Sequence, residues 1–345
     1  MEHLLKPLLP ITFFLYMTIS YAADNLLQNG DFENETANTG TSQFLLLNIT
    51  SSNIIIPGWS FSGTVYYVTS GNNLSFPANG GHAIQLAGNG SINQTFRGTD
   101  DVLEYVLSFN LAVLNEGCAV NYNHTAAVNV TVYVTTVFES SEVTHSERWS
   151  VFYYDRNISR RLWETNAFYL GQLGNINYVN LEIKSVTMNN SADHNVASNC
   201  WPLVDAFTVK RNHLPRWYDG NQLANGDFEV GPSFLKNSLD GILLNQEQDR
   251  FNSPLQQWSI LGTIKYINSE RYRVPHGKAA IELLSSGYSS GIQTDLILQP
   301  ASTYTLSFTM GDANDSCVGL EDNLDKLLQF QRDANERWCA LWPCT

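Results

Sequence analysis

The sequence predicts an all-β protein made of two tandem antiparallel sandwiches, the second of them incomplete. Three observations carry that prediction: a motif stated twice, alternating apolar and polar residues, and a strand-favouring composition. Asn25-Leu-Leu-Gln-Asn-Gly-Asp-Phe-Glu33 returns as Gln222-Leu-Ala-Asn-Gly-Asp-Phe-Glu-Val-Gly-Pro232, an offset of 196 when Asn29 is set against Asn225. Each copy leads apolar residues into Asn-Gly-Asp, a turn-forming triplet, and then into a Phe able to plug a core. Aromatics make up 12% of the 345 residues against 15% charged and only 4 Met. That balance suits half-buried pleated surfaces, and the length accommodates two domains.

The chain opens with a segment that reads as targeting rather than structure, residues 1–23. Lys6 supplies positive charge, Leu8 to Ile19 is largely apolar, and Ser20-Tyr-Ala-Ala23 offers small residues for cleavage. The apolar run is too short for a spanning helix, and no later stretch is longer. A first module is expected over 24–211 and a linker containing Pro215 over 212–221. A partial second module follows over 222–319, then a divergent tail with helical spacing over 320–345.

The second module can be followed against the first at offsets of 196 to 199. Pro57-Gly-Trp59 through Tyr67 answers to Gln256-Gln-Trp258 through Tyr266. Ala83-Ile-Gln-Leu86 answers to Ala280-Ile-Glu-Leu283, Glu104-Tyr-Val-Leu-Ser-Phe109 to Thr303-Tyr-Thr-Leu-Ser-Phe308, and Cys118 to Cys317. Most of these segments alternate with the period of half-buried strands. Tyr105 to Val113 and Ala126 to Val134 are the clearest. In the latter, Val128, Val130, Val132 and Val134 share a face, with Asn129 on the other. Further strands are expected at 166–170, 178–186 and 203–209. After Cys317 too few residues remain for the closing strands of a second sandwich, so a truncated or alternatively spliced copy with open strand edges is expected.

Asn-x-Ser/Thr triplets begin at Asn34, Asn48, Asn73, Asn89, Asn93, Asn123, Asn129, Asn157, Asn189 and Asn314, which with the leader predicts a secreted glycoprotein. Of the five cysteines, Cys118 and Cys200 are expected to pair, stapling the last strand of the first module to its middle. A closed loop of that length contributes about 4 kcal/mol through loop-closure entropy. The pairing of Cys317, Cys339 and Cys344 stays open. A formal charge of −14 argues against nucleic acid and anionic membranes.

Signals for catalysis are few. Gly287-Tyr-Ser-Ser-Gly291 fits a nucleophile elbow, but the alternating Ile292 to Leu296 follows where that motif needs a helix, so it reads as an inter-strand loop. The seven His residues show no metal-ligand spacing, and His82 and His276 are read as surface residues before strands. No enzyme is expected. Trp59 and Trp258 are assigned to core packing by their repeated position. Tyr66, Tyr67, Tyr153 and Tyr154 are the ligand-binding candidates, because adjacent aromatics on a strand cannot both face inward. Asp31, Glu33 and Asp205 are candidate ligands for a structural Ca²⁺, which favours hard oxygen donors.

The ordered series of motifs resembles the plant cell-wall family catalogued as domain of unknown function 642. It comprises Asn29 to Glu33, Pro57-Gly-Trp59, Asn225 to Pro232, Val274-Pro-His-Gly277 and Met310 to Cys317. The resemblance implies a signal peptide followed by two galactose-binding-like jelly-roll sandwiches, extracellular, in the cell wall and non-catalytic. It further implies association with pectin methylesterases and, in some members, binding of wall polysaccharide. The family closes each module with Cys-Gly-Pro and a paired Asp; this chain has Cys200-Trp-Pro and Asp205-Ala206. From the acidic charge, docking on a basic wall enzyme is the expected function and direct recognition of wall polysaccharide the alternative.

Overall fold

The computed structural model describes residues 25–34, 43–47, 56–71, 76, 81–99, 104–113, 128–137, 144–153, 163–174, 177–186, 201–212, 221–232, 240–245, 253–284, 290–299 and 302–311. The leader, all five cysteines, Tyr154, the C-terminal tail and the sequons at Asn48, Asn73, Asn123, Asn157, Asn189 and Asn314 lie outside the described residues.

Within that range the protein is all-β. The first copy contributes β1 (Phe44–Leu47), β2 (Ser60–Ser62), β3 (Val65–Thr69), β4 (His82–Leu86), β5 (Ser91–Arg97) and β6 (Glu104–Val113). It continues with β7 (Asn129–Val137), β8 (Thr144–Phe152), β9 (Glu164–Gln172), β10 (Tyr178–Ser185) and β11 (Pro202–Arg211). The second copy contributes β12 (Ile242–Asn245), β13 (Ser259–Leu261), β14 (Thr263–Asn268), β15 (Ala279–Leu283) and β16 (Gly291–Gln293). By position these five repeat β1 to β5 one for one.

Two sheets form the first sandwich. One runs β2-β5-β10-β7-β8; the other begins β1-β3-β4-β11-β6-β9. Between them lies a core that alternation builds. Tyr105, Leu107, Phe109, Leu111 and Val113 point inward from β6, and Val130, Val132 and Val134 from β7, to meet Ile92, Phe168, Leu181 and Phe207. Each such buried side chain contributes roughly 1.5–3 kcal/mol over leaving it in water. Asn129 stands on the opposite face of β7, half-exposed.

The second copy does not form a separate sandwich. Its β12 pairs with β9 in parallel, Ile242 opposite Thr165 and Leu243 opposite Asn166, and this is the one parallel pairing among the described strands. The larger sheet therefore continues β9-β12-β14-β15, nine strands in all, while β13 and β16 form a two-stranded sheet. The two copies place their cores on opposite faces of that shared sheet. Val106 and Ala167, on the face of β6 and β9 turned away from the first core, pack with Ile242, Leu244, Leu255, Ile260, Ile264 and Tyr266. At the same junction Asn212 donates from its backbone to Glu104 O at 2.7 Å and from Nδ2 to Pro254 O at 3.1 Å, and Gln256 Nε2 donates to Glu104 Oε2.

One segment expectation needs correction. Thr303 to Phe308, expected to repeat the buried strand β6, is no strand: Leu306 forms an isolated bridge, and Leu306, Phe308 and Met310 are exposed. No described strand pairs along the segment, so the same Tyr-x-Leu-Ser-Phe pattern stays exposed there. Arg211 ends β11, and Asn212 just after it is buried and bonded to Pro254 of the second copy.

Candidate functional site

The repeated motif is a structural clip, built alike in both copies. Asn29 and Asn225 take left-handed backbone angles, φ 51 and 50, as do Phe32 and Phe228, φ 56 and 59. The Asn side chain closes the loop that follows. Asn29 Nδ2 donates to Asn34 O and Asn34 N to Asn29 Oδ1, both at 2.9 Å. Asn225 does the same with Val230, at 2.8 and 2.9 Å. Asn tolerates the left-handed region better than most residues, and its amide can both donate and accept.

The Phe then enters the core beside the repeated Trp, ring centroids 5.3 Å apart in each copy. Each indole N–H donates to the Asn carbonyl, Trp59 to Asn29 O and Trp258 to Asn225 O, at 3.0 Å. Each repeated Tyr donates to the Phe carbonyl, Tyr67 to Phe32 O at 2.8 Å and Tyr266 to Phe228 O at 3.0 Å. The Glu ties the clip to the start of a strand. Glu33 Oε1 accepts from Gly81 N and His82 N, and Glu229 Oε1 from Lys278 N and Ala279 N. Gly277, φ 72, is required there, since a Cβ would stand 2.2 Å from Glu229 Oε1. Trp59 and Trp258 are thus core residues, as expected.

Several candidates change role. Tyr67, 1% exposed, and Tyr153, 4% exposed, belong to the core and are not surface ligand-binding residues. Alternation said only that Tyr66 and Tyr67 point opposite ways; the clip decides that Tyr67 points in. His82 is the first residue of β4 and no free surface group. Its Nδ1 lies 2.9 Å from Glu33 Oε2 and its ring stacks on Tyr67 at 4.8 Å. A carboxylate only accepts, so this nitrogen carries the proton. His276 is exposed.

Of the Ca²⁺ candidates, Asp31 is exposed and its Oδ1 accepts from Glu33 N, while both Glu33 oxygens are engaged as above. Asp205 is 3% exposed. Burial pushes its carboxyl well above the ordinary aspartate range; the Ala206 N–H at 2.6 Å pulls the other way, and Glu33 and Asp31 add to the rise. Ala206 occupies the left-handed region, φ 54, inside the irregularity where β11 shifts register against β6. Among the described residues no group of three or more His, Cys, Asp or Glu is placed to hold a metal ion. The elbow-like segment is followed by β16, starting at Gly291, where an elbow requires a helix.

Of the ligand-binding candidates Tyr66 alone is placed on a patch that the sequence did not otherwise single out, on the outer face of the nine-stranded sheet, turned away from the first core. Tyr66 on β3 lies opposite Gln85 on β4, Gln85 opposite Leu203 on β11, and Leu203 opposite Ala112 on β6. With adjacent strands spaced about 4.8 Å, this row runs roughly 14 Å across the sheet. Half-exposed Tyr66, Phe76 and Trp163 pack over a floor of Val68, Ala112 and Leu203, with the Phe76 and Trp163 rings 5.6 Å apart. Beside this row Asp205 lies opposite Asn110, and Asn110 opposite Thr165, whose hydroxyl donates to Asn110 Oδ1 at 2.7 Å. Gln85 is 4% exposed, and its Nε2 has no hydrogen-bond partner among the described residues.

The profile of the DUF642 family, described as a protein of unknown function, matches residues 25–210 and 221–327. The chain belongs to this family. Its Arabidopsis thaliana relatives include Protein DUF642 L-GALACTONO-1,4-LACTONE-RESPONSIVE GENE 2, 29% identical over 312 residues that span 88% of this chain and 74% of the relative. Protein TEEBE is 28% identical over 302 residues, spanning 86% and 72%. Among solved structures, a family 61 carbohydrate-binding module in complex with β-1,4-galactotriose is 13% identical, with a TM-score of 0.31, over 55% of this chain and 99% of that one. A family 22 module with its xylanase, complexed with xylohexaose, is 14% identical with a TM-score of 0.30, over 48% and 28%. Within this DUF642 chain, the Ala206 position is where the family resemblance implies a second Asp. A left-handed residue is what Asp or Asn tolerates, whereas it costs Ala about 1–2 kcal/mol.

Proposed function

We propose that this DUF642 protein is a secreted, non-catalytic cell-wall glycoprotein that binds a wall polysaccharide on the outer face of its nine-stranded sheet. The observation that carries the reading is one patch of three half-exposed aromatic rings beside a buried amide donor with no partner. Rings of Tyr66, Phe76 and Trp163 offer flat apolar surfaces to the C–H faces of a pyranose. Gln85 Nε2 has no hydrogen-bond partner among the described residues, and buried polar groups rarely stay unpaired without a reason. Two further features support it. The sequons Asn93 and Asn129 lie on the outer side of the other sheet, so glycans there would leave this face clear. Tyr66 and Gln85 also sit on the paired strands β3 and β4, which holds these two groups in fixed register.

The test is affinity electrophoresis of the glycosylated chain through gels containing neutral wall polysaccharides, comparing wild type with Trp163→Ala and Tyr66→Ala. Retardation that at least one substitution abolishes, with thermal unfolding little changed, is the expected result. Unchanged retardation in both variants would sink this placement of the site. Docking on a basic enzyme such as a pectin methylesterase is a second reading, favoured by the formal charge of −14; it predicts salt-sensitive binding to that enzyme and none to glycan.

A further inference from the structure

Among the described strands, β8 pairs with β7 alone and forms one edge of the five-stranded sheet. Trp149 and Val151 turn from it into the first core. Phe152, at its end, therefore faces outward, and it is 37% exposed. Directly opposite it on β7 stands Asn129, the first residue of the sequon Asn129-Val-Thr131. The adjoining pair, Val128 and Tyr153, is joined by a hydrogen bond from Tyr153 N to Val128 O at 2.9 Å. Bonded and unbonded pairs alternate along an antiparallel ladder, so Asn129 and Phe152 form an unbonded pair. Side chains stand closest in such pairs, with Cβ atoms about 5 Å apart. A sugar linked to Asn129 Nδ2 thus starts beside an outward phenyl ring, and its apolar C–H face can cover that ring. Of the other described sequons only Asn93 lies in a strand, and Ser60 and Glu182 opposite it carry no ring.

We propose that Asn129 carries an N-linked glycan whose first sugar packs on Phe152, as a structural part of the first sandwich. This inference rests on the secreted-glycoprotein reading and is independent of the patch around Tyr66. Thr131, which completes the triplet, is fully buried, so the triplet is accessible for modification only before β7 joins the sheet. The sugar is in place when the strands pair, and it covers an apolar ring at the end of an edge strand, where association would otherwise start.

The experiment uses the full chain secreted from a eukaryotic host that makes oligomannose glycans, in three forms. One is intact, one is trimmed by an endoglycosidase to a single sugar at each site, and one is stripped by a peptide N-glycosidase. Peptide mass spectrometry reads occupancy, and hydroxyl-radical footprinting reads Phe152. Asn129 is expected to be occupied, with Phe152 protected in the intact and trimmed forms and several-fold more reactive in the stripped form. Asn129→Gln and Phe152→Ala are each expected to lower Tm by about 2–4 °C, and the double variant by no more than the larger single loss. If either variant is not secreted, the three forms of the wild-type chain still decide the matter. An empty Asn129 beside other occupied sequons overturns this inference and leaves the glycoprotein reading standing. No glycan at any sequon overturns both. An occupied Asn129 with Phe152 equally reactive in all three forms, or additive losses in the double variant, overturns the packing on Phe152.

Discussion

Asn225 carries more of the second copy than its size suggests. Its buried amide bonds Val230 in both directions and donates to Gln256 O at 3.1 Å, and its carbonyl takes the Trp258 indole N–H. Asn225→Ala leaves the Val230 and Gln256 backbone groups unpaired in a buried loop and adds a strained φ, so a loss of about 2–4 kcal/mol is expected in denaturant unfolding. A loss below about 0.5 kcal/mol would contradict the clip. Ala206 makes the opposite case. With φ 54 and no need for a Cβ there, Ala206→Gly should raise stability by about 1 kcal/mol. Asp205 adds a pH dependence whose sign follows from its raised folded-state pKa. The folded state holds the proton more tightly than the unfolded one, so stability is greatest below the unfolded pKa, about 3.9. It falls as pH rises through the folded value. Asp205→Asn should therefore stabilise the protein at pH 7 relative to pH 4 and flatten the profile between them. At this scale the repeat itself separated structural from variable residues. Tyr67 recurs as Tyr266 and proves to be a clip residue, whereas Tyr66 is answered by Lys265 and proves to lie on the outer patch. Gln85, Phe76 and Trp163 gave no such sign, because what marks them is a shared face that only the strand order creates.

At the scale of elements, the strands that alternate most cleanly, β6, β7, β9, β10 and β11, were all legible from period alone. Thr303 to Phe308 was misread for the reason that makes strands contextual: the pattern of β6 is buried only because β9 and β11 flank it. In the second copy β15 pairs with β14 alone and ends the nine-stranded sheet, with Leu283 exposed at its C-terminus. Exposed edge strands template association. Leu283→Lys is expected to lower the concentration-dependent aggregation of the purified chain, read by light scattering, without shifting its unfolding midpoint. No change in scattering would place the association elsewhere.

For the whole molecule, duplication was legible and the way the copies join was not. Two sequence copies suggest two beads, yet β12 enters the first copy's sheet beside β9, and the second core closes over Val106 and Ala167 from the first. Nothing in a pattern of alternation says which outward face a neighbouring copy will cover. Because the copies share a sheet and a core, they should unfold as one unit. Val106→Ala is expected to cost about 1–3 kcal/mol and to lower a single transition seen by Trp59 and Trp258 together. Separate transitions for the two tryptophans would contradict a shared unit. Among the described residues, the second copy's core does not include the half-exposed Tyr66, Phe76 and Trp163. The most direct test is hydroxyl-radical footprinting of the full glycosylated chain with and without a neutral wall oligosaccharide that it binds. Protection is expected at Tyr66, Phe76 and Trp163, with Tyr133 and Tyr178 on the five-stranded sheet unchanged. Protection confined to Tyr133 and Tyr178, or none at the three outer-face aromatics, would contradict the account.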